Sequence, residues 1–177
     1  RGAGGLLGAT GVLAHEFLFS HRRPNITCPA QKSMIKAWHG PHPWELFMCF
    51  REFGKSTISE EAIIIKALLK EISNYLIVGS SADRAQERLR AIRHEFETND
   101  KILEIFGDMR GSSWGDDEIV LSNDIRILAL GRGQALRGVK FLDKRPDGFL
   151  LDDVEKREDV RSPEARKAIM DWVLTEL

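Results

Sequence analysis

Cysteine is nearly absent from this sequence, which has two in 177 residues, Cys28 and Cys49. They stand far apart and in no metal-ligand spacing. That excludes a disulfide framework and a zinc site as organising features, and it fits a reducing compartment. An excess of one charge sign is missing too: 26 Lys and Arg face 27 Asp and Glu, for a formal net charge of -1. Any nucleic-acid contact must therefore come from a local patch and not from the charge of the whole chain. No long apolar run is present either. The opening stretch RGAGGLLGATGVLA follows an arginine, as the core of a secretory signal does. It is too short to span a bilayer, and no small-x-small cleavage site follows it. Internal repeats and low-complexity linkers are lacking, so a single domain is expected, with 42% hydrophobic residues to build its core. The chain opens without Met and stops abruptly at Leu177, and the expectation is a fragment of a longer protein. Residues 1–30 read as an N-terminal extension, either lid-like or foreign to the native chain, and 31–177 as the folded domain.

What is there alternates between strand and helix patterns. Trp44 to Phe50 (WELFMCF) predicts a buried strand, and Ile58, Ala62, Ile65 and Leu69 then recur at helical spacing. A second buried strand is expected over Tyr75 to Val78, closed by Gly79, Ser80 and Ser81. The next helix runs from about Asp83 to Glu97, with Ala85, Leu89, Ile92 and Phe96 on one face. This order predicts an α/β fold with a mostly parallel central sheet flanked by helices. Glu118 to Leu121 and Ile125 to Leu130 flank a Ser-Asn-Asp turn and predict a β-hairpin insertion. A glycine-rich loop, GRGQALRG, spans Gly131 to Gly138, and a strand beginning at Gly148 ends in acid. Ser162 and Pro163 supply an N-cap and a first-turn proline for a last helix carrying Ala165, Ile169 and Trp172.

The sharpest local signal is Arg51, Glu52, Phe53, Gly54, Lys55, Ser56 and Thr57, placed between a predicted strand and a predicted helix. A GxxxxGK[ST] phosphate loop needs that setting, because backbone N–H groups and a helix N-terminus converge there on a polyphosphate. Lys55 suits the β- and γ-phosphates of ATP, the Ser56 hydroxyl suits Mg²⁺, and Gly54 lets the backbone approach the anion. Cys49 stands where the motif has its first glycine. The second signal is FLLDDVE, Phe149 to Glu155, an apolar strand ending in acid as a Walker B segment does. Asp152 then serves Mg²⁺, and either Asp153 or Glu155 polarises the attacking water.

From about Gln31 to Leu177 the sequence resembles the ATPase domain of the large terminase subunits of tailed phages, DNA-packaging motors with a RecA-like P-loop fold of the ASCE class. The resemblance rests on an arginine ahead of the GKS core, and on DEIVLSNDIRILALGRGQALRG followed by RPDGFLLDDVEKREDVRSPEARKAIMDWV in one collinear run. It implies ATP hydrolysis, with ATP and Mg²⁺, driving double-stranded viral DNA into a capsid. It also implies a homo-oligomeric ring, contacts with the small terminase subunit and the portal protein, no membrane, and the cytoplasm of an infected bacterial host. By the same resemblance Arg51 contacts the γ-phosphate in cis, Arg137 is an arginine finger acting on a neighbouring subunit, and Gln31 reads adenine. The end of the acidic strand departs from the Asp-Glu common in the family. The family's nuclease domain is not part of this sequence, so no DNA cleavage is expected of it.

The remaining candidates are weaker. Arg84, Arg88, Arg90 and Arg93 share their helix with Glu87, Glu95 and Glu97 and read as a solvated mixed-charge face. Arg132, Lys140, Lys144 and Arg145 form a basic cluster suited to DNA or to a subunit contact. His39 and His42 read as loop structure. Two other functions remain open, a helicase-like DNA-dependent ATPase and a nucleotide-binding module without turnover.

Overall fold

Six successive buried positions, Asn74 to Gly79, make β1 (Asn74–Gly79) an interior strand with both faces covered. The computed structural model describes residues 3–23, 25–134, 138–155, 159 and 162–176. Before β1 come α1 (Ala3–Leu18), one turn of 3-10 helix (Ser20–Arg22), α2 (Pro29–Trp38) and α3 (Lys55–Leu68). After it come α4 (Ala82–Thr98), α5 (Asp100–Phe106), β2 (Arg110–Trp114), β3 (Glu118–Leu121), β4 (Arg126–Gly131), β5 (Gly148–Asp152) and α6 (Pro163–Glu176). The strands form one five-stranded mixed sheet in the order β2-β3-β4-β1-β5. β1 is parallel to β4 and to β5, whereas β2 and β3 extend the sheet antiparallel. The chain is thus an α/β protein, and it divides into two compact units, Arg1–Glu71 with His94–Asp108 and Ile72–Arg93 with Met109–Leu177. Both units are discontinuous in sequence, a division that no linker composition can mark.

In the second unit the period-2 alternation sorts the sheet's two faces. Leu76 and Val78 of β1 sit beside Leu128 and Leu130 of β4 and Phe149 and Leu151 of β5, and Trp172 of α6 packs on that face. Tyr75, Ile77, Ile127 and Ala129 are buried on the other. Asp147 fastens the start of β5 to β1, accepting from Ser73 N at 2.7 Å and Asn74 N at 3.1 Å. The predicted hairpin forms between β3 and β4. It is not an insertion, because β4 pairs with β1 inside the sheet. At the other end, β1 and β4 finish level, Gly79 opposite Gly131, against the first turn of α4. A Cβ on Gly131 would lie 2.6 Å from Ala82 N, and one on Gly79 2.9 Å from Ala85 N. These two glycines let the helix start directly over the strand ends.

In the first unit α3 is buried around its whole circumference from Ile58 to Ile65, as a helix enclosed by its neighbours must be. Val12 of α1, Met34 and Ile35 of α2 and Ile58 of α3 share a core with Trp38, Phe47 and Phe53 against it. The strand expected over Trp44 to Phe50 does not form. That segment is extended, but none of the described strands pairs with it, and Trp44, Leu46, Met48 and Phe50 are all exposed, Met48 to 88%. Only Phe47 turns inward, stacking on Trp38 with ring centroids 5.9 Å apart. A hydrophobic run makes a strand only where a neighbour satisfies its backbone. Among the described residues no helix is long and apolar enough to cross a membrane.

Candidate functional site

The candidate residues fall into two groups, one in each unit. In the first, the chain turns at Arg51 and Glu52, with Phe53 N donating to Phe50 O at 3.3 Å. Glu52 has φ 68° and Gly54 φ 87°. The second of these is natural to glycine, and the first is a strained conformation for glutamate. Helix α3 begins directly at Lys55, so Lys55, Ser56 and Thr57 occupy its first turn. First-turn N–H groups have no partner within a helix, and here the N-cap is Gly54, which makes no side-chain cap bond, and no acidic residue lies in the first turn. The macrodipole favours an anion at this place. Arg51 and Glu52 are exposed, and the residues from Phe53 to Thr57 are half-buried.

Gln31 of α2 braces the turn. Its Nε2 donates to Phe53 O at 2.9 Å, and its Oε1 accepts from Cys28 N at 3.1 Å. The amide retains one further N–H and one lone pair for a ligand. Beside it opens a cleft of about 200 Å³. Gly54 and Thr57 line it from the loop, and Gln31, Thr27, Arg22 and Arg23 line it from upstream.

Arg22 and Arg23 were not legible as site residues, and they lead into a buried polar network. Arg22 Nη2 donates to Glu60 Oε2 at 2.8 Å, and Arg22 Nε lies 3.6 Å from Glu95. Arg23 Nη2 pairs with Glu61, whose Oε2 also meets His15 Nδ1 at 2.8 Å. The other His15 nitrogen lies 3.2 Å from His39 Nε2. His39, expected in a loop role, is thus part of the interior. Gly11 makes room for it, since a Cβ there would lie 2.5 Å from the His39 ring.

Burial, and then the Arg23 charge, push the His15 pKa down from 6.5 to about 3. Burial, and then His15, lower that of His39 to about 4. Burial raises the Glu61 pKa from 4.5 to about 7 against the pull of Arg23 and Arg22. Between pH 4.5 and 6.5 the unfolded chain therefore carries protons on both imidazoles, and the folded chain carries one on Glu61. The unfolded state binds one more proton net, so stability is expected to fall on acidification. Denaturant midpoints measured from pH 7.5 down to 5 check this, and a midpoint that rises on acidification contradicts it.

In the second unit the acidic strand ends at the carboxyl edge of the parallel strands. Asp152 stands in register with Gly79, half-buried, with Arg88 Nε 3.4 Å from its Oδ2. Asp153 and Glu155 are exposed, Asp153 at φ 46°. The glycine-rich loop turns back on itself through Gln134 N to Gly131 O at 3.2 Å. Arg132 donates to Val154 O at 3.1 Å and pairs with Asp159. It is thereby engaged within its own unit, unlike Lys140, Lys144 and Arg145, which are exposed. Arg137 lies outside the described residues. The arginines of α4 are matched by acids, Arg84 with Glu87 at 3.1 Å and Arg93 with Asp116 at 2.9 Å, which accords with a mixed-charge face. No family model, no curated protein and no solved structure matches this chain.

Proposed function

We propose that this chain is a P-loop ATPase of the large-terminase kind, in which ATP hydrolysis drives double-stranded DNA. The observation that carries the reading is the start of α3. There a left-handed Gly54 delivers Lys55, Ser56 and Thr57 into the first turn of the helix beside a cleft. A lysine and two hydroxyls at a helix N-terminus suit an anion such as a triphosphate, while the strand that the motif places before its loop does not form over Trp44 to Phe50. On this reading Lys55 and Arg51 hold phosphate oxygens. The resemblance to the terminases assigns Mg²⁺ to Ser56, in the first unit, and to Asp152, in the second, and the ion when bound would screen the phosphate charge. Asp153 or Glu155 orients water, and Arg137 serves the site of a neighbouring subunit in a ring. A carboxylate and a hydroxyl are each oxygen donors of the kind that a hard cation such as Mg²⁺ takes. Arg88 already neutralises Asp152, so a cation there works against a guanidinium. The small terminase subunit and the portal protein are the partners this assignment brings.

The test is phosphate release from MgATP with and without duplex DNA. Asp153→Asn and Glu155→Gln are compared, and the residue that orients water is expected to lose on the order of 100-fold in turnover while ATP still binds. Wild-type turnover in both variants contradicts the assignment. The contact between Arg88 and Asp152 favours one second reading, a nucleotide-binding module without turnover. In that case wild type binds MgATP and releases no phosphate with or without DNA.

A further inference from the structure

The cleft beside α3 has two arginines in its lining, Arg22 and Arg23, that the phosphate-loop motif does not include. Each already meets a buried carboxylate, and each still has an unmatched donor. Arg22 Nη1 and Arg23 Nε are buried and have no hydrogen-bond partner among the described residues. Leaving a charged donor unmatched in the interior is costly, and a ligand oxygen satisfies it once the side chain turns toward the cleft, since both atoms are closed to solvent as they stand. The carboxylates that hold the pair, Glu60 and Glu61, both belong to α3, the helix whose first turn flanks the same cleft. Guanidinium suits phosphate in particular, because its planar fork matches two oxygens and its charge persists at any working pH.

We propose that Arg22 and Arg23 are ligands of the phosphates of a nucleoside triphosphate bound in this cleft. The proposal rests on the nucleotide reading given under "Proposed function". The N-terminal segment then belongs to the binding site, and the phosphates and the carboxylates of α3 compete for the same two cations.

Titration of MgATP, and separately of adenosine, into the full chain tests this. Arg22→Gln and Arg23→Gln are each expected to weaken MgATP binding about tenfold or more and to flatten its salt dependence, while leaving adenosine binding unchanged. Glu60→Gln releases Arg22 from its carboxylate and is expected to keep or raise MgATP affinity. A loss in Glu60→Gln equal to that in Arg22→Gln means the arginine only supports the fold, and this overturns the proposal. Lysine variants keep the charge without the fork and serve if a glutamine variant does not fold. An intermediate loss is expected of them, and wild-type affinity overturns the proposal. If Lys55→Ala loses MgATP while both arginine variants retain it, this inference alone fails. If wild type binds no MgATP, the nucleotide reading fails with it.

Discussion

Lys55→Ala is expected to reduce kcat/KM for ATP by on the order of 100-fold or more, the scale seen when a positioned charge is removed from a phosphate or oxyanion site. Lys55 is the first residue of α3 and half-buried. Alanine is at least as good a helix former as lysine, so the helix itself loses nothing by the change. If the variant unfolds at the wild-type denaturant midpoint, the loss reports on the ligand and not on the fold. Ser59 Oγ bonds back to Lys55 O at 2.9 Å through the backbone of that residue, a contact that alanine retains. Full activity in Lys55→Ala would remove the phosphate loop from the mechanism, and with it the reason for placing ATP at this helix. A shifted midpoint accompanied by a modest loss would mean that the side chain holds structure instead.

Much of the second unit could be read from sequence because its signals are local. β1 and β5 are short apolar runs bounded by turn residues, and the hairpin needs only two alternating segments around Ser122 to Asp124. β2 escaped notice because Arg-Gly-Ser-Ser-Trp has almost no apolar content, and it forms as an exposed edge strand paired to β3. The opposite error occurred at Trp44 to Phe50, where apolar content is high and no partner strand is present among the described residues. Composition reports what a strand would like to bury, and pairing decides whether it becomes one. The start of α3 was legible because the turn at Arg51 and Glu52 and the helix after it are contiguous in sequence. Its surroundings were not, since Arg22 and Arg23 meet their carboxylates across 38 positions of chain. Glu60 and Glu61 are both buried within α3, which nothing in their local sequence marks.

Glu61→Ala is expected to cost about 3–5 kcal/mol of stability, the range found when one partner is removed from a buried ion pair. The alanine leaves the Arg23 guanidinium and His15 Nδ1 without the oxygen that both now share. Glu61→Gln is expected to be much milder, because its amide oxygen still accepts from Arg23 and His15 and its shape matches the protonated acid. Burial already holds the Glu61 pKa up at about 7, so near neutral pH a neutral side chain is close to the native state. The two variants also separate in their response to acid. In wild type the proton gained by Glu61 on folding offsets one of the two kept off His15 and His39. Glutamine removes that offset. Between pH 4.5 and 6.5 the Glu61→Gln protein is therefore expected to lose stability about twice as steeply as wild type. Parallel curves would show that Glu61 titrates alike in the folded and unfolded chains. A Glu61→Ala protein as stable as wild type would show that the network of His15, Arg23 and Glu61 holds nothing together.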